Sequence, residues 1–317
     1  SNRMVSAYRL KHGRTHLERK RELFARIESE FGVPGAVITA FWALETDFGA
    51  NNGNFPTLTA LASLAWDCRR PELFRPQLID ALRLIDEGDL SPDEMLGAHA
   101  GELGQVQFLP SDYKRSAVDY DGDGRRDLIG SVPDALASAA SLLRDFGWHS
   151  GEPWLEEVRV PESLQWEKAD VYQTQPWSYW RDAGVRRINI DAEPAASTPL
   201  ALLLPSGRRG PAFIAYRNFA IYLQWNESLI YTTTAAYLAT RLAGASRLGI
   251  VKLPEAPLEL AEIKTLQRAL VRRGHDVGKV DGIIGARTRA AVRSVQIEFG
   301  MGADAYPSRE LLRLIAH

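Results

Sequence analysis

Glu45 sits in the run Phe41-Trp42-Ala43-Leu44-Glu45-Thr46-Asp47-Phe48-Gly49. Val33, Val37, Ile38, Phe41 and Leu44 mark the apolar stripe of a helix that Pro34 can start at its first position. Glu45 follows Phe41 by four residues and Ile38 by seven, so helical geometry puts it on that same stripe. Gly49 is a natural stop, which leaves Glu45 in the last turn. Apolar walls and the negative end of a helix dipole both favour a neutral carboxyl group. A glutamic acid kept protonated near neutral pH is what a general acid needs. The alternative is a boundary glutamate that bends out to water, since charged side chains are rarely buried unless paired.

A second oxygen-rich segment is Asp119-Tyr-Asp121-Gly-Asp123-Gly124-Arg125-Arg126-Asp127. Its carboxylates fall at positions one, three, five and nine, Gly124 falls at six, and Arg125 stands at the backbone-carbonyl position seven. That is the front of an EF-hand loop, where hard oxygen ligands converge on one Ca2+ ion. Gly130 occupies position twelve, where a bidentate Glu is usual, and Asp134 could supply the missing oxygens. Arg126 replaces the apolar residue of position eight. The alternative is a metal-free Asx-Gly turn. One structural Ca2+ is the only cofactor expected, with no organic group.

The elements that must hold these residues divide the chain into two textures. Residues 15–150 read as mostly helical. Candidate helices run from Leu17 to Phe31, Leu58 to Trp66, Phe74 to Glu87, Pro92 to Gly97 and Asp134 to Phe146. From about 155 to 224 the segments are short, β-rich and broken by Pro and Gly: Val158–Val160, Val171–Tyr172, Val185–Ile190, Leu200–Leu204, Phe213–Tyr216 and Phe219–Leu223. They read as a small sheet inserted into the helical body. Ser228 to Ala243 returns to helix. Residues 249–258 carry two prolines and little periodicity, as a linker would.

The chain is long enough for two domains: 317 residues, 45% hydrophobic, 25% charged, with a formal net charge of −2. No basic tract points to nucleic acid. No apolar run reaches the roughly 18–20 residues that span a bilayer, and no segment reads as a signal peptide. The single cysteine, Cys68, cannot form an internal disulfide and reads as a small buried hydrophobe beside Trp66.

After the linker comes a compact unit. Leu266, Leu270 and Val271 give one amphipathic helix, Thr288 to Phe299 a second and Arg309 to Ile315 a third. The order Leu266-Gln267, Gly274-His275, Val277-Gly278, Asp281-Gly-Ile-Ile-Gly285, Thr288, Ala291-Val292 and Gln296 resembles the peptidoglycan-binding module at the ends of many cell-wall enzymes. Val295-Gln296 stands where that module usually has an aromatic-Gln pair. A generic bundle used for dimerisation is the alternative.

The remaining segments resemble the B-type lytic murein transglycosylases, glycoside hydrolase family 103. Glu45-Thr-Asp-Phe-Gly49 is similar to their Glu-Thr-x-aromatic-Gly motif. Gly97-Ala-His-Ala-Gly-Glu-Leu-Gly-Gln-Val-Gln-Phe-Leu-Pro-Ser111 is similar to their Gly-Ser-aromatic-Ala-Gly-Ala-Met-Gly-x-x-Gln-Phe-Met-Pro-Ser segment. The Asp119 loop resembles the calcium loop of some members, and Trp225-Asn226-Glu-Ser-Leu-Ile-Tyr231 their aromatic-Asn-x-Ser-x-x-Tyr segment.

The resemblance implies an α+β, mainly α fold: a lysozyme-like catalytic domain over 1–248 with the β-rich insert, a linker over 249–258 and a three-helix peptidoglycan-binding bundle over 259–317. It implies cleavage between MurNAc and GlcNAc in peptidoglycan, with 1,6-anhydro ends and Glu45 as the single acid/base. Gln107, Phe108, Trp225, Asn226 and Tyr231 would bind substrate, and Asp119, Asp121, Asp123, Arg125, Asp127 and Asp134 would hold the metal. Phe108 and Trp225 could instead be core, and Asn226 a capping amide. Ala98 replaces a Ser near the acid in relatives, His99 an aromatic, and Glu102 a small residue; Glu102 is expected to face solvent or pair with an Arg. The partners implied are glycan strands with their stem peptides and proteins of wall synthesis or hydrolysis, without nucleic acid. The compartment implied is the periplasm of a Gram-negative bacterium, soluble or anchored to the outer membrane. Rival readings are a hydrolytic muramidase, a non-catalytic wall-binding scaffold and a calcium-dependent interaction protein.

Overall fold

A computed structural model describes residues 4–68, 70–188, 192–249 and 256–316. They form two compact units, Ser1–Gly151 with Thr234–Ala245 and Glu152–Thr233 with Ser246–His317.

The first unit is helical. It holds α1 (Ala7–Arg19), α2 (Arg21–Phe31), α3 (Gly35–Thr46), the short strand β1 (Phe55–Pro56), α4 (Thr57–Trp66), α5 (Pro71–Asp86), β2 (Leu96–Gly97), α6 (Pro110–Ser116) and α7 (Val132–Asp145). Where one helix is expected from Leu17 to Phe31, the axis breaks at Lys20, whose φ of −110° and ψ of 27° leave the helical region. Pro92–Gly97 is not a helix. Turns lead into β2, which pairs antiparallel with β1 through Phe55↔Gly97 and Pro56↔Leu96.

Helix α3 is apolar on nearly every side: Val37, Ile38, Ala40, Phe41 and Ala43 are fully buried. A helix of that kind belongs in the centre of a core, and α1, α2 and α7 surround it. The alanines of α7 (Ala135, Ala137, Ala139, Ala140) are buried too; their small side chains permit close approach. Cys68, expected to be buried, is exposed, and its neighbour Trp66 at the end of α4 is 90% exposed.

The second unit carries a five-stranded antiparallel sheet, made of β3 (Leu155–Arg159), β4 (Thr174–Pro176), β5 (Arg186–Arg187), β6 (Pro199–Leu203) and β7 (Ala212–Ala215) in the order β4-β6-β7-β3-β5. Helix α8 (Trp177–Asp182) follows β4 and buries Trp177 and Trp180 against Leu202 and Ile214 of the sheet. The Trp180 indole donates to the Leu200 carbonyl at 2.8 Å, so its one polar atom is paired. Val171–Tyr172 is a turn, closed by a bridge between Asp170 and Gln173. The end of the expected strand Val185–Ile190 lies outside the described residues.

Phe219–Leu223 reads as a strand by composition but lies inside α9 (Arg217–Trp225). Its buried residues, Asn218, Phe219, Ile221 and Tyr222, fall at helical spacing. Aromatic and β-branched content misleads in so short a run. Helix α10 (Leu229–Leu242) begins in this unit, and from Thr234 it belongs to the first.

The last helices, α11 (Leu260–Arg272), α12 (Ala286–Glu298) and α13 (Arg309–Ile315), close on Leu266, Leu270, Val292, Val295 and Leu311. Two buried glutamines staple their loops. Gln267 accepts from Gly282 at 2.9 Å and donates to the Ile283 carbonyl at 3.0 Å. Gln296 accepts from Ala305 at 2.9 Å and donates to Asp304 at 2.9 Å. These helices share a unit with the sheet because side chains tie the two together. Arg208 N–H donates to Asp304 Oδ2 at 2.8 Å, and Arg293 donates to the Ala169 carbonyl at 3.0 Å while pairing with Asp170. Most of the expected linker, 250–255, lies outside the described residues.

Candidate active site

Glu45 occupies the last turn of α3 and is half-buried. The chain leaves that turn through three successive left-handed residues, Asp47 (φ 50°), Phe48 (φ 65°) and Gly49 (φ 83°). Only Gly takes that conformation freely, so the surroundings must hold the other two. Thr46 is one tie. Its hydroxyl donates to the Gln105 carbonyl at 2.6 Å and accepts from Gly49 N–H at 2.9 Å. The Gln105 side chain is another: Oε1 accepts from the Trp42 indole at 3.0 Å, and Nε2 donates to the Ile129 carbonyl at 3.1 Å. A Cβ on Gly49 would lie 2.5 Å from Gln105 Oε1, so the fit excludes any side chain there. Phe48 lies edge-on to Trp42, with centroids 5.4 Å apart and planes at 87°.

The segment from Gly97 to Phe108 is thereby brought to the end of α3. Gln107 also has a positive φ, 53°. Its amide donates to the carbonyls of Asn52 at 3.1 Å and Gly104 at 2.9 Å, joining the loop after α3 to this segment. Phe108 is only 1% exposed. Its ring is therefore core packing, which corrects the expectation that it lines a sugar cleft. Glu102 neither faces water fully nor shows an ion pair among the described residues: it is half-buried, and Oε2 is sealed off without a hydrogen-bond partner.

In the second unit, Trp225 ends α9 and is half-buried, as are Asn226 and Tyr231. Asn226 Oδ1 accepts from Ser228 N–H at 2.9 Å, and the Asn226 carbonyl accepts from the Thr232 hydroxyl at 2.7 Å. This amide shapes the turn between α9 and α10, the capping role held open above.

The Asp119–Asp127 loop divides its carboxylates. Ligand oxygens of Asp119, Asp121 and Asp134 lie within 4.8 Å of one another. Asp134 is fully buried and accepts from the amides of Tyr120 (2.8 Å), Asp121 (3.2 Å) and Asp127 (2.9 Å). Burial pushes its carboxyl above the usual range, against the pull of those three donors. Asp123 and Asp127 stand outside the cluster and accept from the amides of Arg125 and Ile129, each at 2.9 Å, while Asp119 accepts from those of Gly122 at 2.8 Å and Gly124 at 2.9 Å. The Arg125 side chain turns away to the Asp89 carbonyl and Glu94. Three converging carboxylates can supply part of the roughly six to eight oxygens that a calcium ion takes, and Asp123 and Asp127 do not join them in this structure.

Residues 1–240 match the Transglycosylase SLT domain family. The chain belongs to that family. Residues 259–315 match a peptidoglycan binding domain. Within this transglycosylase family the chain is similar to the membrane-bound lytic murein transglycosylase B of Escherichia coli strain K12, at 37% identity over 123 residues. That match covers 38% of the chain and 34% of the relative, so it spans about a third of that protein's length. Among solved structures, SltB3 of Pseudomonas aeruginosa in complex with NAG-anhNAM-pentapeptide aligns with a TM-score of 0.90 at 38% identity, over 99% of this chain and 84% of that one. The E. coli lytic transglycosylase Slt35 in complex with calcium aligns with a TM-score of 0.63 at 25% identity, over 76% of each chain. The mainly helical, lysozyme-like fold with its terminal wall-binding bundle is therefore that of this transglycosylase family.

Sequence reasoning singled out Glu45 and the Gly97–Ser111 segment but passed over Gln105, which bonds that segment to α3. The signal was present. Gln105 and Gln107 alternate with Val106 and Phe108 right after Gly104, and a polar residue between buried neighbours is a bonding residue more often than a spectator.

Proposed function

We propose that the chain is a lytic transglycosylase that cleaves the MurNAc–GlcNAc β-1,4 bond of peptidoglycan and leaves 1,6-anhydro-MurNAc ends, as part of wall remodelling. The observation that carries this is Glu45, half-buried on the final turn of α3 and held by the Thr46–Gln105–Trp42 bonds. A single carboxylate in a matched motif suits a reaction that needs no second acid. Ordinary glycosidases use two.

Glu45, protonated, donates to the glycosidic oxygen as the C1–O bond breaks and an oxocarbenium-like centre forms. The substrate's own N-acetyl oxygen stabilises that centre. The carboxylate then takes the proton of the same sugar's C6 hydroxyl as O6 bonds to C1. The net change moves one proton from O6 to the leaving oxygen and consumes no water. A neighbouring hydroxyl has a high effective concentration. A P. aeruginosa relative solved with an anhNAM-containing fragment supports this reading.

In this proposal Gln107, Trp225, Asn226 and Tyr231 bind the glycan, and Asp119, Asp121 and Asp134 hold a structural Ca2+, in line with a calcium complex of a distant relative. The substrate is the glycan strand with its stem peptides, and the compartment is the periplasm. Glu45→Gln should lower turnover of purified sacculi by about 10²–10⁴-fold, the usual worth of a general acid, while sacculus binding stays intact. Mass spectrometry of the wild-type fragments should show ends one water lighter than reducing ends. Full activity in Glu45→Gln would defeat the assignment, and reducing ends would make the enzyme a hydrolytic muramidase.

A further inference from the structure

The end of α3 concentrates backbone strain. Among the described residues four non-glycine side chains have positive φ, and three of them, Asp47, Phe48 and Gln107, lie at the candidate site. Such conformations persist only where the surroundings over-determine them. Gln107 has its two carbonyl partners and Phe48 its ring contacts. Asp47, two residues past Glu45, is held from a different element. Arg9 on α1 donates through Nε to Asp47 Oδ1 at 2.7 Å, with the two side chains 17% and 34% exposed. Arg9 is itself fixed, since Nη1 donates to the Met4 carbonyl at 3.1 Å. About two helical turns further along α1, His16 lies against Trp42 and Phe48, with centroids 4.7 and 4.9 Å away. One face of α1 thus grips the turn that ends α3 at both of its strained, non-glycine residues.

We propose that Arg9 is a positioning residue for Glu45: its bond to Asp47 fixes the left-handed exit of α3 and with it the direction in which Glu45 projects. The motif Glu-Thr-x-aromatic-Gly leaves the Asp47 position open, so this grip is particular to chains that pair an acid there with a cationic residue on α1. The inference rests on the reading of Glu45 as the catalytic acid. Arg9 touches no substrate in this account; it acts through Asp47.

The test uses the full chain, a soluble NAG–NAM oligomer as substrate and sacculi as a second substrate. Arg9→Ala should lower kcat by about ten- to a hundredfold, in the range a misplacement near 1 Å produces, with KM changed less than about twofold because substrate contacts are untouched. Arg9→Lys, which keeps a cation within reach of Asp47, should recover part of that loss. Asp47→Ala should show a similar loss, and the double variant should be no worse than either single one, since both break one bond. Thermal unfolding of each variant supplies the control. The proposal fails if Arg9→Ala keeps wild-type kcat, if the losses multiply in the double variant, or if activity falls only in proportion to the unfolded fraction. Should Arg9→Ala not fold, Arg9→Lys and Asp47→Ala carry the same comparison, and equal, wild-type kcat in both overturns it. Glu45→Gln run alongside separates the two levels: an active Glu45→Gln sinks the catalytic reading itself, whereas an inactive one beside a normal Arg9→Ala sinks only the grip.

Discussion

At the scale of single residues, the candidate site is held together by one glutamine. Gln105 accepts from the Trp42 indole N–H, donates to the Ile129 carbonyl, and through its own carbonyl accepts from the Thr46 hydroxyl. The bonds to Trp42 and Thr46 join the end of α3 to the segment that faces it, and the bond to Ile129 ties that segment to the stretch before α7. Gln105 is only 4% exposed, so water does not replace a lost bond. Gln105→Ala should therefore cost about 1–3 kcal/mol for each buried group it strands, the indole N–H above all. Gln105→Glu still accepts from Trp42 but donates nothing to Ile129, and should fall between wild type and Gln105→Ala. Urea unfolding of the three proteins checks the order; a Gln105→Glu protein less stable than Gln105→Ala would mean that a buried charge outweighs the retained bond.

At the scale of elements, the helix that carries Glu45 was legible because its apolar stripe, its Pro and its Gly agree on one answer. The tail helix Arg309–Ile315 was legible from its apolar Leu311, Leu312 and Ile315 and the Pro307-Ser308 pair before it. Apart from the Leu17–Phe31 helix, which breaks at Lys20, the misread elements are short. Pro92–Gly97 and Phe219–Leu223 each offer too few residues for a period to be counted, and their neighbours decided the outcome. The Asp119 loop was misread in part for a different reason. Spacing lists the available oxygens but not which of them converge: every acid of the loop accepts a nearby amide, yet only Asp119 and Asp121 also come close to Asp134. Asp134, outside the loop proper and at the start of α7, is instead the buried centre of the cluster. Calcium bound by Asp119, Asp121 and Asp134 would relieve three converging carboxylates and tie the loop to α7. Adding Ca2+ at about a hundred times its Kd should stabilise the fold by about 2.7 kcal/mol. Calorimetry should then show a higher Tm with Ca2+ and a lower one after chelation. Asp121→Asn should blunt that shift while Asp123→Asn leaves most of it. No change in Tm in either direction would argue for a metal-free turn.

At the scale of the whole molecule, the sheet and the tail helices pack as one compact unit, although residues 259–315 match a family model of their own. The cause is not visible in composition, because it lies in individual side chains. Arg293 on α12 reaches Asp170 and the Ala169 carbonyl, with both charged groups less than a fifth exposed, and Arg289 donates to the Pro205 carbonyl at 3.3 Å. Hydrogen bonds to charged groups of this kind are worth about 1.5–3 kcal/mol each when partly shielded from water. The wall-binding bundle therefore has a fixed seat on the β-rich segment instead of free rotation on a tether. Arg293→Ala leaves Asp170 without its partner and should loosen that seat. Amide hydrogen exchange should then quicken together in α12 and around residues 166–173, and the rest of the sheet, whose tryptophan core is untouched, should stay protected. Cleavage of a short soluble glycan should be unaffected, because Arg293 is remote in the chain from the α3 turn and shares no bond with it. Exchange that quickens in α12 alone would mean that the bundle's own packing, and not this bridge, sets its stability, and unchanged exchange in both segments would show that the seat does not depend on Arg293 at all.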